Sequence, residues 1–382
     1  MDENHISMAS SQDLEATSSG KILLVTKQLV HSPRGGREML SKLNHDALAL
    51  IFGDRLLVFE LPANQISSVG KIISGLRSHI DGLTVQNIDA IISQVQTHKI
   101  ESIFVDGSNL GALIYTLKRR LGHVHVTCFF HNVEARFFWG SFLNSKAPRA
   151  LAVLISNFLA ERKAVLFSDH RLCLSDRDSH LLKKLYGQGA THIHPMALKD
   201  KTLPSQPSAT SASEPFALFV GSDFYANRQG ITWFVRNVMP HVDLKLYIVG
   251  KGMEEIRSEL QSCDRVEVVG TVERLDEWYA NCLFVVAPIF DGSGMKTKVA
   301  EALMYGKKVV GTSEAFSGYE RFSARSGWYC NSPSEFIAAI NEACRTITSS
   351  FDPELRKLYE DHFSFPAATA RLALILDAPL DS

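Results

Sequence analysis

Short apolar runs alternate along this chain with segments whose apolar residues recur at helical spacing. In the first half the runs are KILLVT (21–26), RLLVFEL (55–61), IFVD (103–106), VHVTCFF (124–130) and RLCLS (171–175). They read as strands buried on both faces. Between them, residues from the Arg34-Gly35-Gly36-Arg37 turn to about Leu48, and then 69–79, 88–97, 110–120 and 147–163, have helical patterns. Strand and helix in alternation predict a mostly parallel sheet covered on both faces.

The stretch 199–214 (KDKTLPSQPSATSASE) is poor in large apolar residues and rich in Ser, Pro and Thr, and reads as a linker. After it the alternation resumes with strands at 217–220, 244–249, 266–269, 283–287 and 308–311. The expected fold is therefore α/β, with two Rossmann-like doubly wound parallel-sheet domains facing across a cleft. The expected boundaries are a tail at 1–19, a first domain at 20–200, a linker at 201–214, a second domain at 215–350, and C-terminal helices at 351–382 crossing back to the first domain. Strands read at 21–26 and 217–220 open the two domains, and a Pro-Glu-Leu start at 353–355 opens the last helices.

Composition changes this picture little. With 45% hydrophobic and 21% charged residues over 382 positions, the chain is an ordinary globular one, long enough for two cores. Residues 1–19 hold four acids and no Lys or Arg, without the apolar run of a signal peptide. The six cysteines (128, 173, 263, 282, 330 and 344) form no CxxC pair and read as small buried residues of a reducing compartment. No apolar run reaches the ~18 residues needed to span a bilayer. A cytoplasmic protein is expected, with peripheral contact to the inner face of a membrane left open.

Charge is distributed unevenly. Residues 20–200 carry 22 Lys and Arg against 14 Asp and Glu, and residues 201–382 carry 18 against 23. A basic first domain suits an anionic surface or substrate, a membrane surface included. Nucleic acid is disfavoured, because no basic stripe with interleaved aromatics is present.

The densest chemistry lies in PIFDGSGMKTKVAEALMYG (288–306). The strand at 283–287 leads into a glycine loop, Asp291-Gly292-Ser293-Gly294, and then into a helix expected over 295–305. Free N–H groups at a helix start behind a glycine loop invite an anion. Lys296 and Lys298 stand where the helix dipole disfavours cations, at a cost of up to ~1 kcal/mol each unless an anion binds. Glu301, one turn on, suits sugar hydroxyls. Three more strand ends carry glycine: Gly221-Ser222, Gly250-Lys251-Gly252 and Gly270. Together the four loops line one sheet edge, as a nucleoside diphosphate requires. Glu255 stands where a GxGxxG fingerprint needs its third glycine, and no GxxxxGK[ST] occurs, so a dehydrogenase and a P-loop NTPase are both disfavoured.

Segments 219–235 (FVGSDFYANRQGITWFV), 246–252 (LYIVGKG), 268–282 (VVGTVERLDEWYANC) and 287–312 resemble, in the right order, the donor half of retaining nucleotide-sugar glycosyltransferases of the GT-B fold, glycosyltransferase family 4. The first half matches through Gly35-Gly36 and His131-Asn132-Val133-Glu134. The resemblance implies that Glu301 binds the ribose, that the amides of Thr297 and Lys298 hold the diphosphate, that main chain near Val272 meets the base, and that His131 points to the transferred sugar. It places Gly221, Ser222, Asn227, Gly250, Lys251, Gly292, Ser293, Gly294 and Met295 on the donor side, and Gly35, Gly36, Asn132 and Glu134 on the acceptor side.

The chain departs from that family in two places. Where the family has a sugar-contacting glutamate, Ser293 stands, with Asp291 as its substitute. Where the family has Arg and Lys after the first donor-domain strand, the chain has Asn227 and Arg228, so Lys296 or Lys298 would carry the leaving-group charge. The catalytic set is therefore His131, Asp291, Lys296 and Lys298.

Other readings remain beside these. Gly35-Gly36 also suits a plain tight turn, and His131 a satisfied core histidine. Asp176-Arg177-Asp178 matches a DxD metal motif, but its place at a helix start favours capping, and no metal or other cofactor is expected. Phe137-Phe138-Trp139, with the amphipathic 147–163 helix, reads as packing inside the first domain in preference to contact with a lipid-linked acceptor.

The function expected is transfer of a sugar from a nucleotide diphosphate sugar to a glycan or lipid-linked acceptor, with retention, in bacterial surface polysaccharide or glycoconjugate synthesis. The alternatives are a nucleotide-sugar epimerase on the same fold and a non-catalytic sugar-nucleotide-binding partner subunit.

Overall fold

The computed structural model describes residues 20–31, 35–62, 80–202, 214–260, 263–292 and 294–378. The expected tail 1–19, the helix at 69–79, most of the linker and Ser293 lie outside the described residues.

Two six-stranded sheets, all parallel, form the frame. The first runs β2-β1-β3-β4-β5-β6, from β1 (Ile22–Lys27), β2 (Leu56–Leu61), β3 (Ser102–Asp106), β4 (His125–Phe130), β5 (His170–Cys173) and β6 (His192–Ile193). The second runs β12-β11-β10-β7-β8-β9, from β7 (Phe216–Val220), β8 (Lys245–Val249), β9 (Val266–Gly270), β10 (Phe284–Ala287), β11 (Val309–Gly311) and β12 (Gly327–Tyr329). In each, the chain starts at an inner strand, builds to one side and crosses over to the other. The crossover beside the starting strand opens a crevice at the carboxyl ends of the strands. Inner strands such as β1 and β7 are apolar on both faces and buried almost throughout, as a sheet covered on both sides demands.

The expected strands form, each to within a residue or two of its reading. The two edge strands β6 and β12 did not stand out, because two or three half-buried residues give no periodic signal. Glu134–Ser145, read only as an aromatic cluster, is a helix. The helix expected over 295–305 spans Thr297–Met304, so Lys296 is its cap residue and Lys298 its second residue.

One apolar cluster joins the two sheets. Ile22, Phe104 and Phe129 of the first belong to the same buried network as Leu218 and Val285 of the second, linked through Leu198, Tyr359, Phe363 and Leu372. The helix Pro353–His362 starts with Asp352 as its cap and Pro353 at its first position. It ends where Leu198 N–H donates to Phe363 O (2.8 Å) and Phe365 N–H to Leu198 O (3.0 Å). The last helix, Phe365–Ile375, packs against Gly36–Phe52 of the first domain.

The six cysteines are free, and four are buried. Cys263 is half-buried and Cys344 exposed, which corrects the uniform buried reading. Among the described residues no helix is long and apolar enough to cross a membrane.

Candidate active site

Gly294, just ahead of the helix, faces the first domain. Gly294, at φ +67°, lies so close to the turn after β4 that a Cβ there would stand 2.9 Å from Asn132 Oδ1. Glycine is required on both counts, backbone and space. The structure thus brings the strongest donor-side motif against His131-Asn132.

The helix Thr297–Met304 has no side-chain cap, which leaves its first N–H groups without an intrahelical acceptor. Lys298 is buried beside that open end, and its Nζ donates to Asn227 Oδ1 (2.9 Å) and sits 4.5 Å from the centre of the Phe219 ring. Asn227 Nδ2 in turn donates to Ser222 O (3.0 Å), which ties the Gly221-Ser222 turn to the lysine. Burial pushes the Lys298 ammonium down to about 7; Glu301 opposes the fall and Lys296 adds to it. A buried cation whose direct partners are a neutral amide and a ring is short of an anion.

Lys296 takes another route. Its Nζ donates to Gly294 O (2.9 Å) and meets Glu314 Oε1 at 3.0 Å, and burial lowers its pKa. Met295 packs beside Gly318, where any Cβ would collide with it. Glu301 accepts a hydrogen bond from Tyr279 OH (3.1 Å), and that ring stacks on Tyr305 at 4.8 Å. Asp291 is exposed; it accepts from Gly292 N–H (2.7 Å) and from Tyr225 OH (3.1 Å).

Three of the glycine loops use glycine for packing. Gly250, at φ +151°, would place a Cβ 2.0 Å from Gly221 O, and Gly252 and Gly270 press on Asp223 and Glu254. Backbone bonds from Gly221 to Val249, from Gly250 to Gly270 and from Asp223 to Lys251 knit these strand ends together. Lys251 itself is exposed, and Val272 packs at the rim of the core.

Across the cleft, the His131 ring is buried edge-on to Phe129 (4.9 Å), with Nε2 3.0 Å from Asp106 Oδ1. Asp106 also accepts from Thr26 Oγ1 (2.8 Å) and Asn44 Nδ2 (2.9 Å). Burial alone would raise the Asp106 pKa. The His131 charge and hydrogen bonds from His131, Ser41 and Asn44 outweigh it and hold the carboxyl well below the usual range.

Gly35 caps the helix Gly36–Phe52, and no neighbour crowds either glycine. Beside them Lys27 (2.6 Å) and Arg37 (3.2 Å) share the Asp81 carboxylate.

Glu134 is buried at the start of its helix, and burial raises its pKa. Its N–H donates to Glu161 Oε1 (2.8 Å), as that of Ala135 does to Oε2 (3.1 Å). Ser108 Oγ and Tyr186 OH donate to the same carboxylate, and burial raises Glu161 to about 7.

Asp176-Arg177-Asp178 opens the helix Asp176–Tyr186, capped by Ser175, whose Oγ accepts from Asp178 N–H (3.2 Å). It also spans the domains: Arg177 meets Glu314 Oε2 (2.9 Å) and Asp176 meets Arg321 (2.9 Å). Among the described residues no group of three or more His, Cys, Asp or Glu is placed to hold a metal.

Asp106, Glu161 and Glu314 were missed. Asp106 ends β3 and Glu314 follows β11 by three residues, so an acid at a strand's carboxyl end was the available signal for both. Glu161, inside a helix, gave none.

Residues 214–346 match the family model described as glycosyl transferases group 1. No curated protein matches the chain. Among solved structures, sucrose-phosphate synthase from Thermosynechococcus elongatus superposes with a TM-score of 0.67 at 15% identity, over 93% of this chain and 98% of that one. HepE from Anabaena, in complex with UDP, gives 0.64 at 15% identity over 93% and 99%. The lipopolysaccharide outer core galactosyltransferase WaaB, apo form, gives 0.62 at 14% identity over 93% and 99%. These neighbours show the GT-B fold, and the group 1 match supports a glycosyltransferase.

Proposed function

We propose that the protein transfers a sugar from a nucleoside diphosphate sugar to a glycan or lipid-linked acceptor, with retention of configuration, in bacterial surface polysaccharide or glycoconjugate synthesis. The observation that carries this reading is Lys298: a buried ammonium at an uncapped helix start whose direct hydrogen bond goes to a neutral amide and not to a carboxylate. A diphosphate in the Gly221-Ser222 and 291–294 loops supplies that anion. The open N–H groups of the helix and the charge of Lys298 then meet the negative charge growing on the leaving phosphate, which is electrostatic catalysis without a metal. Glu301 keeps acceptor capacity for ribose hydroxyls beyond its bond from Tyr279.

The sequence offers no carboxylate pair assignable as nucleophile and acid, so the retaining route proposed is front-face attack assisted by the leaving phosphate. The solved HepE structures hold UDP and UDP-glucose, which makes uridine donors the first to try.

The test is a thermal-shift panel of UDP, GDP, ADP and dTDP sugars, followed by turnover with an acceptor extract. One donor class is expected to stabilise the wild type, and Lys298→Met to lose at least about tenfold in its affinity, the ~1.4 kcal/mol of one charge-assisted hydrogen bond. Silence across the panel counts against the site, and an epimerised free donor without acceptor counts against transfer.

A further inference from the structure

The helices Glu134–Ser145 and Pro148–Phe167, which follow the His131–Glu134 turn, pack on each other and on the first domain. Leu154, Ala160, Ala164 and Val165 are the buried face of the second. Large apolar side chains nevertheless stand in solvent. Phe137 is 47% exposed, Trp139 52% and Leu143 50%, and Leu151, Ile155 and Leu166 continue the exposed set at one helical stripe. The expectation that Phe137 and Trp139 pack inside the domain is thereby corrected.

The charges around them have one sign. Arg136, Lys146, Arg149 and Arg162 are exposed, whereas between residues 135 and 168 the acid is Glu161, which is wholly buried. An apolar face rimmed by cations with no exposed acid matches an anionic lipid surface, with tryptophan at the headgroup level. A second copy on the same face fits poorly, because a two-fold contact would set these cations against themselves.

We propose that this helical hairpin docks the protein on an anionic membrane surface, with Trp139 and Leu143, one turn apart on one helix face, inserted and Lys146 and Arg149 on the headgroups. Docking sets the bilayer beside the turn whose Asn132 meets Gly294, so a lipid-linked acceptor would arrive at the cleft wall. That last step rests on the transfer reading, and the docking does not.

The experiment is flotation of the full chain with phosphatidylglycerol/phosphatidylcholine vesicles and with phosphatidylcholine alone. Binding is expected only with the anionic vesicles and weakens with salt. Lys146→Gln with Arg149→Gln lowers affinity about twenty-five-fold, since each cation near such a surface counts for roughly a factor of five. Trp139→Ser with Leu143→Ser lowers it further. Both pairs keep the wild-type melting temperature, and donor binding measured separately by calorimetry reports on the catalytic reading alone. The proposal is overturned by no binding to either vesicle, by equal binding to both, by indifference to both pairs, or by a dimer that the same substitutions dissolve.

Discussion

Lys296 Nζ and Glu314 Oε1 lie 3.0 Å apart, and the other oxygen of the same carboxylate holds Arg177 of the facing domain. Lys296, expected beside Lys298 at the leaving group, is thus engaged by an acid that also ties the domains together. On the proposed function, a diphosphate and Glu314 compete for Lys296. Glu314→Gln is expected to tighten binding of the nucleoside diphosphate roughly threefold, the scale of one partly exposed ion pair. Arg177→Ala, which leaves the lysine's partner in place, does less. Calorimetric titration reads both, and weaker binding by Glu314→Gln would refute the competition.

On the proposed function, Lys298 should make donor binding depend on pH. Its folded pKa, about 7, lies below the ordinary 10.5, so between these values the unfolded chain holds a proton that the folded one lacks. Stability from this group accordingly rises with pH across that window. A bound diphosphate favours the charged form and raises the folded pKa. Donor binding should therefore take up a proton above pH 7, and affinity should fall as pH rises from 7 toward 9. Titration in buffers of different ionisation enthalpy measures the uptake; in Lys298→Met it should vanish.

The sheets were legible because parallel strands buried on both faces are bare apolar runs, as Ile22 to Val25 and Phe216 to Val220 are. The helix start at Lys296 was legible from loop glycines and lysines together. What stayed hidden depends on contacts between distant residues. Nothing local links Glu314 to Arg177, or Glu161 to the Glu134 N–H, 27 residues away. Gly250 shows the opposite failure: its glycine is a packing requirement of β7 against β8, and sequence alone cannot separate that from room for a ligand.

Gly294→Ala tests the contact between the domains. The new methyl group meets Asn132 Oδ1 at 2.9 Å and forces alanine to φ +67°. The left-handed backbone costs about 1–2 kcal/mol, and the crowding must push the loop from the turn. A lower melting temperature is expected, together with a larger fall in kcat than in donor affinity, because the diphosphate side of the loop stays intact. Unchanged turnover would show that the contact is incidental.

Glu161 ties stability to pH in the first domain. Its carboxylate accepts from the N–H groups of Glu134 and Ala135, and so holds the first turn of the helix behind His131-Asn132. Burial raises its folded pKa from 4.5 to about 7. The folded protein therefore binds the extra proton, and stability from this group is full below pH 4.5 and declines as pH rises to 7, by on the order of 3 kcal/mol. Glu161→Gln removes that slope. It also presents an amide donor where two N–H groups need acceptors, at a cost of about 1–3 kcal/mol. Denaturant unfolding at pH 5 and pH 7.5 distinguishes these effects: the wild type should lose stability between the two, and the variant, weaker at pH 5, should not.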